Sequence, residues 1–217
     1  MIEQLLHVTP VTGGGVSFLG EVPVNALITG DALASTIGLT AGTSQYSNEP
    51  WLHFELDGKT LYVAKKSYRY NLSWNQIQAV NAVYGAMIIT VGGKQYRVRL
   101  LKGATSDPIT SVGAHDPEQS RGSEWNRLFY PLVPNPVGVP THPVSREGIR
   151  YGALANYTEA VLNVGSSGGN GRRTWCQEST GSSRIFRGSD GLSYFNPGTS
   201  SAVTTAYGWR PVLELIP

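Results

Sequence analysis

One cysteine, Cys176, stands among the 217 residues. A lone thiol excludes an internal disulfide framework and any multi-cysteine zinc site. Histidines occur at 7, 53, 115 and 142, and they form neither H-E-x-x-H nor H-x-H. Charge is also scarce. Only 15% of residues are Asp, Glu, Lys or Arg, and 17 bases against 15 acids leave +2. Binding by phosphate neutralisation needs a basic stripe, whereas the adjacent basic pairs here are Lys65-Lys66 and Arg172-Arg173, so nucleic acid is not an expected partner. No apolar run reaches the ~18 residues of a membrane span, so no membrane insertion is expected. Residues 1–20 lack a basic start followed by an unbroken apolar stretch. A secretory signal is therefore not expected, and action outside a cell would need another route, such as release inside a virus particle.

Glycine and proline, by contrast, are plentiful, at 26 and 13 residues. Their combined share exceeds the ~12% of average proteins but stays below the ~25–30% of low-complexity chains. The chain therefore reads as loop-rich and ordered, long enough for one large domain, or for one domain plus a short appendage. The clearest helical pattern covers 74–84. Ser73 is its N-cap, Gln76 completes a capping box, Trp74, Ile77 and Val80 recur at helical spacing, and Gly85 is the expected stop. A second helix is predicted from Ser123 to just before Pro131, with Trp125, Leu128 and Phe129 as its apolar stripe. Shorter helices fit 31–37 and 145–149.

Strand–turn–strand patterns mark two hairpins, 53–56 to 60–64 across Asp57-Gly58, and 86–91 to 95–101 across Gly92-Gly93. Further strands are predicted at 151–155, 173–178, 183–187, 193–196 and 209–215, separated by Gly/Ser/Asn-rich stretches. Residues 8–23 show strand-like alternation, with Val16 and Phe18, then Val22 and Val24, punctuated by glycine and proline.

Patterns that would announce catalysis or cofactor binding are weak. Gly13-Gly14-Gly15 has no Gly-Lys-Ser/Thr after it, and 165–171 (GSSGGNG) has neither dinucleotide spacing nor a following helix. Cys176 sits in a predicted apolar strand, where a lone cysteine is a small core residue, and no serine lies in G-x-S-x-G. His115 with Asp107, Asp116 and Glu118 reads as a solvated loop, since hard-metal loops carry denser oxygen ligands. No catalytic residue, metal or cofactor is expected.

All five lysines lie at or before 102, and every base after that is arginine, the cation suited to buried or interface pairing. Within 172–196, arginines and aromatics alternate between small-residue loops. Arg172, Arg173, Arg184, Arg187, Tyr194, Phe195 and Asn196 are the candidate binding residues, with Trp175 and Phe186 as core members. Such composition suits a recognition surface, and it equally suits a strand set whose alternate members pack the core.

The closing run Gly208-Trp209-Arg210-Pro211-Val212-Leu213-Glu214-Leu215 resembles the final strand of C-type-lectin-like domains, which reads G-x-R-P-x-L-x-L in phage and bacterial members. Ser189-Asp190-Gly191-Leu192 resembles the loop before that strand. Segments 59–74 (KTLYVAKKSYRYNLSW), 96–103 (YRVRLLKG) and 122–130 (GSEWNRLFY) are similar to the front of the same domain. The combination also resembles tail and other virion proteins of tailed bacteriophages. The resemblance covers about 50–217 and implies an α+β fold, with two helices flanking small antiparallel sheets and long loops forming the binding face.

It also has departures. Asn48-Glu49-Pro50 is in the wrong order for a calcium-binding Glu-Pro-Asn, and Trp74-Asn75 and Trp125-Asn126 are followed by Gln76 and Arg127, where the calcium motif needs Asp. Calcium-dependent sugar binding is therefore not implied, and a single cysteine excludes the paired-cysteine chemistry of the formylglycine-generating relatives. The expectation is a non-enzymatic protein of the virion's tail or another exterior part, a homo-oligomer or multicopy in the particle, made in the host cytoplasm. Residues 1–47, too short to bury a core alone, would pack on the main domain or on a neighbouring subunit and serve as an attachment arm, with 48–217 as the domain. Its partners would be other virion proteins or a host-surface receptor. A purely structural or decoration role, or a small modifying enzyme, are the alternatives.

Overall fold

The computed structural model describes residues 15–109, 121–137, 145, 148–166 and 168–217. Twelve strands and three α-helices are seen among them. They are β1 (Val16–Val22), α1 (Gly30–Thr36), β2 (Thr43–Ser44), β3 (Trp51–Leu56), β4 (Lys59–Ala64), β5 (Arg69–Tyr70), α2 (Trp74–Ala79), β6 (Tyr84–Val91), β7 (Lys94–Arg99), α3 (Glu124–Phe129), β8 (Arg173–Thr180), β9 (Ser183–Arg187), β10 (Phe195–Thr199), β11 (Tyr207–Trp209) and β12 (Val212–Leu215). The fold is α+β. One six-stranded sheet runs β1-β3-β4-β12-β7-β6, and the other runs β10-β9-β8-β11-β5-β2. Pairing is antiparallel apart from β11 against β8 and an isolated Leu101–Cys176 bridge.

Both predicted hairpins form, β3–β4 and β6–β7, and their turns need left-handed backbone at two successive positions. Asp57 and Gly58 take φ of 51° and 77°, and Gly92 and Gly93 take 56° and 76°. Such turns match the right-handed twist of the strands they join. The β3 alternation sends Leu52, Phe54 and Leu56 to one face of the first sheet, where they meet Trp125, Leu128 and Phe129 of α3. The opposite face carries Trp51, Tyr96, Val98 and Leu213, which pack with α1, α2 and the aromatics of the second sheet.

Several boundaries differ from the sequence pattern. The helix predicted over 74–84 stops at Ala79, although its capping box forms as expected. Asn81 at φ 58° ends it, and Gly85 serves instead in the irregularity that opens β6. Residues 151–155 make turns, not a strand. Their amides bond to the segment after α3 (Gly152 to Tyr130 O, Leu154 and Ala155 to Pro131 O), which leaves no ladder to join. Of the helix expected at 145–149, residues 146 and 147 lie outside the described set, and the Ser145 amide donates to Ile149 O at 2.7 Å. The strand expected at 193–196 begins later, at Phe195.

The closing strand is split at Arg210-Pro211. Its first part, β11, belongs to the second sheet, while β12 lies in the middle of the first, between β4 and β7. One short segment therefore fastens both sheets. Residues 15–47, expected as a segment packed on the main domain or on a neighbouring subunit, supply β1, α1 and β2. β1 pairs with β3 along Val16–Val22, and Val16, Phe18, Leu33, Ala34, Ile37 and Leu39 are buried in the two main core clusters. Residues 1–14 of that segment lie outside the described set. No described helix is long and apolar enough to cross a membrane.

Candidate functional site

Strands β8, β9 and β10 form an antiparallel meander, and its register sorts the candidate binding residues. Trp175 lies opposite Phe186, and Phe186 opposite Asn196; Thr174 lies opposite Arg187, and Arg187 opposite Phe195. Side chains alternate along a strand and opposed residues share a face. Arg173, Arg184, Tyr194 and Asn196 therefore fall on one side with Trp175 and Phe186, while Arg187 and Phe195 fall on the other.

The first side is partly open to solvent. Trp175 and Tyr207 stack at 4.1 Å and 14°, with Phe186 edge-on to both. Gly198, opposite Arg184, leaves room for that stack, since a Cβ there would lie 2.5 Å from the Tyr207 hydroxyl. Half-buried Arg173 lies over the Phe186 and Tyr207 rings at 5.2 and 5.6 Å, and its Nε donates to Ser189 Oγ. Arg184 lies over Trp74 at 4.4 Å. Asn196 Nδ2 donates to the Tyr194 hydroxyl at 2.9 Å, and the Tyr194 ring lies nearly parallel to Phe186. Four of the seven candidates are thus together on a stiff aromatic bed. Arg172, just before β8, reaches Gly169 O with Nη1 and is only partly exposed.

Arg187 and Phe195 are corrections to the sequence reading, because both are fully buried. Arg187 donates to Gly103 O at 2.9 Å and Asn126 Oδ1 at 2.8 Å, and its guanidinium lies between the Trp125 and Phe195 rings. It is an internal fastener, as the core-packing alternative requires. The alternating pattern was visible in the sequence; which face would be inside was not, because both carry arginine and aromatics.

On that inner side, Gly103 is held from two directions. Its amide donates to Glu178 Oε2 at 2.9 Å, and its carbonyl accepts from Arg187. A Cβ at Gly103 would meet Cys176 Sγ at 2.8 Å, so this close approach needs glycine. Burial pushes the Glu178 carboxyl up to about 7 and the Cys176 thiol well above its ordinary range. A thiol so buried packs as a small core residue.

A second polar cluster, unmarked in the sequence reading, lies where β7, β12 and α3 meet. Arg99 of β7 is buried, with Nη1 and Nη2 donating to Glu124 at 2.8 and 2.6 Å, and Nε donating to Glu214 at 2.8 Å. Burial disfavours its charge, but the two carboxylates outweigh this and hold the guanidinium above its usual range. Glu214 is held below the usual carboxylate range because Arg99 and Lys59 outweigh its desolvation. The signal was the Arg97-Val98-Arg99 alternation, which put both arginines on one strand face without revealing that α3 brings Glu124 to only one of them.

His115, Asp116 and Glu118, weighed as a metal loop, lie outside the described residues, and no group of three or more potential ligands occurs among the described ones. Comparison with protein-family models, curated proteins and solved structures finds no match to this chain.

Proposed function

We propose that this chain is a non-enzymatic binding protein of a tailed-bacteriophage virion, built on a C-type-lectin-like domain that attaches to a host surface. One observation carries the reading: Arg173, Arg184, Tyr194 and Asn196 share one partly open face, each against a fixed aromatic or polar neighbour. Arginine and tyrosine held still on a rigid bed lose little entropy on contact, which is the economy of a recognition surface. The G-W-R-P-V-L-E-L ending, with β12 paired on both sides in the first sheet, supports the lectin-like assignment. A specific contact of this kind buries roughly 1,200–2,000 Å² in all, and many copies on one particle would add through avidity.

The test is a phage whose copy of this gene carries Arg184→Ala with Tyr194→Ala. Normal particles with at least about tenfold slower adsorption support receptor binding. Unchanged adsorption overturns it. Defective particles made from a variant that still unfolds at the wild-type temperature would instead assign the face to neighbouring virion subunits.

A further inference from the structure

The face of the first sheet that packs on α3 is only half covered. Across the strands, one row reads Leu61, Glu214, Arg97, Ile88, and the next reads Val63, Val212, Arg99, Tyr84. The β1-β3-β4 half is apolar and lies under α3. The β12-β7-β6 half is charged and open, and there the sheet floor, α3 and the strip after β7 enclose a cleft of about 590 Å³. That volume is in the range of small-ligand sites.

The charges around the cleft do not cancel. Five cations face three carboxylates along its lining, a surplus of two. The carboxylates are all engaged. Glu124 and Glu214 hold Arg99, Glu214 also holds Lys59, and Asp57 takes both Nη atoms of Arg127 at 2.6 Å. Arg97 and Lys102 are exposed, and neither pairs with a carboxylate among the described residues. They are also well supported. Arg97 stands on a strand paired on both sides, and the amide of Lys102 donates to Glu124 Oε2 at 2.9 Å.

Neutral groups complete the lining. Ser123 Oγ accepts from the Asn126 amide, which leaves its proton free to donate. Gln177 Nε2 donates to Leu100 O, which leaves its amide oxygen free to accept. Tyr84, 51% exposed, is fixed at the rim by its hydroxyl bond to Gln177 O and its edge contact with Trp74. Donors, acceptors and one flat ring suit a ligand with many hydroxyls, and two free cations suit an acid group on it.

We propose that this cleft binds a small polyhydroxylated acid, a sugar acid or sugar phosphate, whose anionic group is met by Arg97 and Lys102 and whose ring lies beside Tyr84. A nucleic acid fits less well, because it would need a continued track of cations and more than one exposed stacking ring. The proposal stands apart from the recognition face, as none of Arg173, Arg184, Tyr194 and Asn196 lines the cleft.

The full chain would be titrated with galacturonate, galactose 6-phosphate, inorganic phosphate and galactose, following backbone amide shifts by NMR. One or both acids should move the amides around Arg97 and Lys102, at least about tenfold more tightly than galactose, and should weaken between about 20 and 200 mM salt. Which acid binds tighter identifies the anionic group, and inorganic phosphate binding weaker than the sugar phosphate shows that the hydroxyls count. R97Q with K102Q should lose at least about tenfold, while K94Q, on the same hairpin but outside the cleft, should stay within about twofold. Binding of neither acid up to about 10 mM would overturn the site. So would equal binding of galactose, unchanged affinity in the double variant, or a short single-stranded DNA that binds more tightly than both acids through the same residues.

Discussion

Replacing Glu178 with glutamine should stabilise the protein at alkaline pH and leave it almost unchanged in acid. Glu178 is buried on β8, and its Oε2 accepts from the Gly103 amide. Desolvation outweighs these backbone bonds and lifts the carboxyl from 4.5 to about 7. Below pH 4.5 the group is protonated folded and unfolded alike, and it costs nothing. Between 4.5 and 7 the unfolded chain gives up the proton while the folded chain keeps it. The folded state then binds more protons, so stability falls as pH rises. A gap of that size corresponds to roughly 3 kcal/mol, lost by about pH 8. Glutamine mimics the neutral form and can still accept from Gly103, so Glu178→Gln should recover most of that loss. A rotated amide would forfeit about 1 kcal/mol of it.

Urea unfolding of both proteins from pH 4 to 8 measures the effect as a difference curve in which the other titrating groups largely cancel. At about 2–4 °C per kcal/mol for a chain of this size, thermal melts at pH 8 should differ by roughly 6–12 °C in favour of the variant, and at pH 4 by little. Parallel curves across the range would show that Glu178 is not buried as a neutral acid. A variant weaker than wild type at pH 8 would show that its charge is stabilised by the fold.

Three further outcomes follow from the same packing. Arg187→Leu orphans two well-made acceptor contacts and should cost about 2–4 kcal/mol in urea unfolding, whereas Arg184→Ala on the open face should cost under about 1 kcal/mol. Removing residues 1–47 strips six buried apolar side chains from the two cores; at about 2–5 kcal/mol for each large one, the loss exceeds a typical total stability, so the truncated chain should show no cooperative melt. Glu214 contributes stability above pH 4.5 that is lost as pH falls through its lowered folded value, so Glu214→Gln should destabilise at pH 7 and approach wild type as the pH is lowered below 4.5.

Much of the frame was legible because local rules dominated there. Asp57-Gly58 and Gly92-Gly93 demand left-handed turns, and Ser73 with Gln76 demands a helix start, so both hairpins and α2 follow from a few residues. What was not legible depended on contacts far apart in sequence. Residues 151–155 look like a strand until the carbonyls of Tyr130 and Pro131 take their amides. The 209–215 run is uniformly strand-like, yet Pro211, which lacks an amide proton, marks the point where it leaves one sheet for the other. The inner and outer faces of the β8–β10 meander look alike in composition, so the buried face could be told from the partly open one only once Gly103 and Asn126 were seen to claim Arg187.

The bias toward arginine after residue 102 has a physical cause in this architecture. A loop-rich chain leaves many carbonyls without ladder partners, and a guanidinium offers five donors in a flat fork that one ammonium cannot match. Arg210 shows the use most fully. It is entirely buried with no carboxylate bonded to it, yet its donors reach Lys65 O at 2.7 Å, Ala64 O at 3.4 Å, Thr174 Oγ1 at 3.3 Å and Leu162 O. The Trp125 and Phe129 rings flank it at 5.8 and 5.3 Å. One side chain thus joins the end of β4, the loop before β8 and β8 itself. Arg210→Lys leaves a single amine where burial already disfavours positive charge, and it cannot serve all three places. Losing about two charge-assisted bonds should cost on the order of 3–5 kcal/mol. The melting temperature should therefore fall by roughly 6–20 °C. If the lysine variant melts within about 3 °C of wild type, a single amine suffices there and the fork geometry is not what holds these loops to the sheets.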